Sequence, residues 1–211
     1  MLANIGCGLI AICDVLLYLD VNNVNGIYNQ MNNDYDYQKY MKYLYTLSTE
    51  FPVFPVAGEL SVQFPSELES YISNCYEKDY NISFNYSDDC EKCYSEIRKM
   101  IKNNIPVIMS FDNTEHKAYN IFLKDNLDIE LSLYTTENFI DFKEEQCVKS
   151  HYMVITGIVE YSDDVIGLRS DGRTFDNMLQ VSSWGRKYYI SSDDYTNNLS
   201  IFSNILKINE S

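Results

Sequence analysis

Ile105-Pro106-Val107-Ile108-Met109-Ser110-Phe111 is the stretch at which the chain changes character. Pro106 cannot continue a helix and biases Ile105 away from helical backbone, and the residues after it are apolar and β-branched in the manner of a strand. Upstream, apolar residues recur at helical spacing. From Gly8 to Leu19 they fall at Leu9, Ile10, Ile12, Val15, Leu16 and Leu19, and Gly6-Cys7-Gly8 supplies a flexible entry that sets Cys7 at the helix N-terminus. Val21 to Tyr43 reads as a loop and an aromatic-rich helix with Tyr37, Tyr40, Met41 and Leu44 on one face. Pro52, Pro55, Gly58 and Pro65 punctuate the next region. Ser66 then caps a helix through Glu67, Leu68, Tyr71 and Ile72, and a further helix is predicted from about Asp89 to Asn103. Downstream, apolar runs of strand length recur at Val107 to Phe111, Tyr119 to Leu123, Tyr152 to Val159, Leu179 to Val181 and Tyr188 to Ile190. An acidic, turn-rich stretch from Ser162 to Asn177 reads as a long hairpin or exposed excursion. The expectation is one α+β domain over residues 1–211, with a helical half over about 1–104 and a sheet half over about 105–211.

Composition narrows the function. Thirty-one acidic against 16 basic residues give a net charge of -15, opposite to the basic footprint that phosphate-backbone binding requires, so nucleic acid is not an expected partner. The acidity suits solubility through self-repulsion better than it names a cationic substrate. The apolar run from Met1 to Leu19 has no positive segment before it and is broken by Asp14, so a secretory signal is not expected; nor does any stretch approach the ~18 apolar residues of a membrane span. A soluble, cytoplasmic chain without a membrane partner is the expectation. The six cysteines, at 7, 13, 75, 90, 93 and 147, form no disulfide framework and read as reduced thiols. Cys90-Glu91-Lys92-Cys93 has CxxC spacing, but only Cys75, Cys147 or His116 could complete a zinc site. Cys90 and Cys93 instead sit at helical spacing beside Ile97 and Met100, as packing residues do, and neither metal nor another cofactor is expected.

A thiol at a helix N-terminus is helped toward thiolate by unpaired backbone N–H groups and the positive dipole end, and the Cys7 N–H could itself donate to a developing oxyanion. Against this, a cysteine opening an apolar helix is often plain core. An activated thiol needs a base, and the chain has two histidines. His151 opens the strand Tyr152-Met153-Val154-Ile155-Thr156-Gly157, whose sheet context can fix an imidazole in place; His116 lies in the polar turn Asn113-Thr114-Glu115-His116-Lys117 and reads as solvated.

The order of these elements resembles the papain-like superfamily. Asn4-Ile5-Gly6-Cys7-Gly8-Leu9-Ile10-Ala11 is similar to the CG-x-x-[AS] helix start of the bacteriocin-leader-type (double-glycine) peptidases and their bacterial relatives, and Ile105-Pro106-Val107 to the strand before their histidine. His151-Tyr152-Met153-Val154-Ile155-Thr156-Gly157 resembles their His-apolar-Gly strand; Leu179-Gln180-Val181-Ser182-Ser183-Trp184-Gly185 with Tyr188-Tyr189-Ile190 resembles the NSWG…YI segment of papain-like enzymes. The resemblance implies an antiparallel, partly barrel-like sheet against the nucleophile helix. It implies roles in turn: Cys7 as nucleophile, His151 as base, Ser182 at the position of the histidine-orienting Asn, Trp184 as the indole shielding that pair, and Gly8, Ser183 and Gly185 in support. Two positions depart from the pattern. Ser182 brings no amide or charge, which leaves Asp163, Asp164, Asp171 or Asp176 as alternative orienters. The family's oxyanion Gln falls at Met1, so either the chain continues upstream or Asn4 joins the Cys7 N–H as oxyanion donor. The implied activity is hydrolysis of a peptide or small amide through a thioester acyl-enzyme. The alternatives are acyl transfer to an amine and an inactive papain-like binding module.

Overall fold

The computed structural model describes residues 6–21, 37–51, 64–75, 80–85, 89–112, 129–161, 167–169, 172, 174–199 and 203–210. Helices are α1 (Cys7–Val21), α2 (Tyr37–Glu50), α3 (Phe64–Cys75), α4 (Cys90–Lys102) and α5 (Ser192–Thr196). Strands are β1 (Tyr80–Phe84), β2 (Val107–Asp112), β3 (Leu131–Thr135), β4 (Asp141–Val148), β5 (Ser150–Glu160), β6 (Gly167–Arg169), β7 (Thr174–Phe175), β8 (Asn177–Ser183), β9 (Arg186–Ser191) and β10 (Ile205–Glu210). The strands form a single ten-stranded sheet in the order β1-β10-β2-β5-β8-β9-β3-β4-β6-β7, antiparallel except for β4 with β6. The N-terminal helices pack on it.

α1 is apolar nearly all round, and such a helix is stable only when enclosed. Leu9, Ala11, Ile12, Cys13, Val15 and Leu16 are each 2 % exposed or less. The helix lies chiefly against β5 and α2. Each fully buried aliphatic side chain here contributes roughly 1.5–3 kcal/mol relative to exposure, so Ile12→Ala, which would also leave a cavity, is expected to cost about 2–5 kcal/mol. α4 is specified at both ends. The Asp89 side chain accepts from the Lys92 N–H, Glu91 sits in the first turn, Lys99 and Lys102 in the last, and Asn103 closes the helix. Cys93, Ile97 and Met100 form its buried stripe, as their spacing predicts, while the half-buried Cys90 Sγ donates to the Thr196 carbonyl at 3.1 Å.

The central strands carry the predicted runs, each extended by a residue or more: β2, β5, β8 and β9 contain Val107–Phe111, Tyr152–Val159, Leu179–Val181 and Tyr188–Ile190. The stretch from Ser162 to Asn177 does hold a hairpin, with Gly167 paired to Phe175 and Leu168 to Thr174. Other expectations change. The sheet is open, ending at β1 and β7 rather than curling toward a barrel, because those outer strands do not pair with each other. α3 begins at Phe64, not at a cap on Ser66, since Pro65 is tolerated in a first turn where its missing N–H has no intrahelical partner. β1 lies in the half read as helical and is joined to the sheet through β10. The predicted strand Tyr119–Leu123 lies outside the described residues. Among the described residues no helix is long and apolar enough to cross a membrane.

Candidate functional site

β5 and β8 run antiparallel, with Val154 opposite Ser182, so the start of β5 and the end of β8 meet at one edge of the sheet. β8 turns into β9 through Trp184 and Gly185, flanked by the pair Ser183 and Arg186. Both turn residues have positive φ, 49° and 71°, the twist-matched geometry of a tight hairpin. Gly185 adopts it freely; Trp184, a bulky L-residue, does so under strain. On the facing helix the Gly6 φ of 89° feeds directly into Cys7, the first residue of α1. These elements border a narrow, partly open cleft of about 10 Å³, room for about one water, lined by Cys7, Ile10, Ala11 and Asp14 from α1, His151, Tyr152 and Met153 from β5, and Ser182, Ser183 and Trp184 from the β8 end.

Helical spacing explains the α1 contribution: Cys7, Ile10, Ala11 and Asp14 stand at i, i+3, i+4 and i+7 and share one face. His151, opposite Phe111 of β2, is 4 % exposed. Its Nε2 is joined to the Ser183 Oγ at 2.7 Å, and its ring stacks on Trp184 with centroids 4.1 Å apart and planes 24° from parallel. Burial lowers the His151 pKa from 6.5 to about 4, so the imidazole is neutral at pH 7. The hydroxyl on the histidine is therefore Ser183's, while Ser182 is turned to α1, where its Oγ donates to Asp14 Oδ2 at 3.3 Å. Asp14 Oδ1 accepts from the Tyr40 hydroxyl of α2 at 3.0 Å. Burial raises the Asp14 pKa, and the Tyr40 and Ser182 hydrogen bonds partly offset the rise.

Cys7 is half-buried at the cleft wall. Cys13 on the same helix is fully buried, and that burial pushes its thiol up to about 12, which leaves it inert as a nucleophile at neutral pH. Gly8 is buried beneath Cys7, and Gly185 is exposed at the turn. Asn4, His116, Asp163, Asp164 and Asp171 lie outside the described residues; Asp176 sits at the bend before β8 and is not among the residues lining the cleft. No group of three or more His, Cys, Asp or Glu that could hold a metal is gathered among the described residues.

Sequence reasoning missed Asp14 as a site residue. The signal was available: a carboxylate two helical turns after Cys7, on the face of an otherwise apolar helix that the cysteine shares. Tyr40, on the face of the aromatic-rich helix that its spacing predicts, also meets this carboxylate. In comparisons with known proteins, no family model, no curated protein and no solved structure matches the chain.

Proposed function

We propose that this cleft is the active site of a papain-like cysteine hydrolase, which cleaves a peptide or amide bond through a thioester on Cys7. The observation that carries the reading is that Cys7, at a helix N-terminus, and His151, on a strand from the other half of the chain, line the same cleft. The imidazole is neutral at pH 7 and so able to accept a thiol proton, while the burial that lowers its pKa to about 4 makes it a weaker base than an exposed histidine. In the tautomer whose Nε2–H donates to the Ser183 Oγ, Nδ1 is the ring nitrogen that accepts the thiol proton.

In the acylation step the Cys7 sulfur bonds to the substrate carbonyl carbon as its proton passes to His151, and the Cys7 N–H, in the first turn of α1, donates to the oxyanion. Asn4 is the proposed second donor. The imidazolium then returns its proton to the leaving amine as the C–N bond breaks. Water, deprotonated by His151, resolves the thioester and regenerates the thiol. Ser183 holds the ring at one edge and Trp184 covers a face, so both keep the imidazole oriented through the cycle.

The test uses p-nitrophenyl acetate as the acyl donor. Wild-type protein is expected to release p-nitrophenolate with a Cys7 thioester detectable by mass, and Cys7→Ala to abolish both. Acylation of Cys7 no faster than that of exposed Cys147 would refute the reading and leave an inactive binding module. Exclusive amide formation when amines are added would convert it to acyl transfer by the same residues.

A further inference from the structure

We propose that Asp14 is a positioning residue: by holding the Ser182 hydroxyl it ties the nucleophile helix to β8 and so sets the neighbouring Ser183 hydroxyl against His151. The inference rests on reading the cleft as a thiol active site. Among the described residues lining it, Asp14 carries the one carboxyl group. Both its oxygens are engaged from different elements, Oδ1 by Tyr40 of α2 and Oδ2 by Ser182 of β8. Tyr40 fixes the carboxyl plane. Burial and the neighbouring Asp14 charge raise the Tyr40 pKa, so its hydroxyl remains a donor at neutral and alkaline pH.

Successive side chains of a strand point to opposite faces. Anchoring Ser182 to Asp14 therefore fixes the rotation of the β8 end, and with it the Ser183 hydroxyl that meets the imidazole at the same cleft. There is little slack beyond it, because Trp184 and Gly185 close the turn immediately and Ser183 already pairs with Arg186. α1 packs chiefly on β5 and α2, so the Asp14–Ser182 bond is a polar link from the cysteine's helix to the strand holding the histidine's partner. The resemblance puts an orienting side chain at Ser182; here that position is itself oriented, from the helix.

The experiment measures Cys7 acylation by p-nitrophenyl acetate at saturating and subsaturating ester, with circular dichroism to verify folding. Asp14→Ala and Ser182→Ala are each expected to slow acylation at saturation by about 10–10²-fold, the scale of a small misplacement of reacting groups, with the ester concentration for half-saturation unchanged. The double variant should be no slower than the slower single, because both changes cut one link. Asp14→Asn, whose amide can still accept from Tyr40 and hydrogen-bond Ser182, should recover most of the rate. If Asp14→Ala does not fold, Ser182→Ala decides alone. Wild-type rates in Ser182→Ala, effects that multiply in the double variant, or an Asp14→Asn as slow as Asp14→Ala would overturn the inference while His151→Ala still slows acylation. A His151→Ala variant that acylates normally would instead overturn the active-site reading and this inference with it.

Discussion

Two hollows open along the sheet, and the larger is chemically the poorer. The open groove beside β3 and β4 has a volume of about 420 Å³ and is lined by Thr135, Thr136, Glu137, Asn138, Asp141 and Lys143. Several of its polar groups are spent on making the turn: Asn138 Oδ1 accepts from the Ile140 and Asp141 N–H groups at 2.9 and 2.8 Å, and its Nδ2 donates to Asp141 Oδ2 at 2.7 Å. Beneath lies a separate aromatic cluster of Tyr134, Phe142, Phe175 and Tyr189 with Met178, packed largely edge to face. The cleft at the β5 and β8 ends is far smaller, yet it gathers a thiol, an imidazole and a carboxyl in partly desolvated positions. A hollow's size reports the shape of a surface. Reactivity needs titratable groups held where water does not level them.

The comparison can be broken most directly at His151. Its replacement by Ala is expected to slow Cys7 acylation by about 10²–10⁴-fold, the usual contribution of a positioned base. Lys143→Ala in the groove should leave that rate at its wild-type value, and equal losses from both changes would erase the distinction.

Phe142→Ala sharpens the contrast from the other side. The ring is 2 % exposed and meets Phe175 and Tyr189, so its truncation should cost about 3–5 kcal/mol in denaturant unfolding. The folded fraction should acylate Cys7 normally.

The third expectation concerns acid. Because the folded chain holds His151 near 4 and the unfolded chain returns it to about 6.5, the unfolded state binds the extra proton between those values. Stability should therefore fall as pH drops from 6.5 to 4, with this contribution reaching about 3 kcal/mol, and be fully present above 6.5. Asp14, raised by burial, works in the opposite direction. The difference between wild type and His151→Gln across that range isolates the histidine, and parallel pH profiles would contradict its desolvation.

Smallest is the turn. Gly185→Ala meets no neighbour within 4 Å of its new Cβ, so its cost is conformational, from the φ of 71°, and should be about 1–2 kcal/mol.

Much of this arrangement was legible before the structure, for a physical reason. Burial of their central residues gives α1, β2, β5, β8 and β9 recognisable apolar runs, and α1, β5 and β8 are the elements that hold Cys7, His151 and the serine pair. β4 was missed because its run Lys143-Glu144-Glu145 is exposed and charged, so no apolar alternation marks it. β1 was missed because a short strand among helices depends on pairing with β10 at the far end of the chain. The exchange of Ser182 for Ser183 has the same kind of origin. Two adjacent serines look alike in sequence, and only the register of β8 decides which face each takes. Asp14 is legible by spacing, but as a break in an apolar run it speaks first against a secretory signal rather than for a site.

Trp184 carries one further consequence. It is the chain's single tryptophan, it is 52 % exposed, and it lies flat on the His151 ring. Its emission is therefore a built-in optical reporter for one histidine: a protonated imidazole quenches a stacked indole more strongly than a neutral one. The protein's fluorescence should dim as His151 takes up its proton, with no label attached.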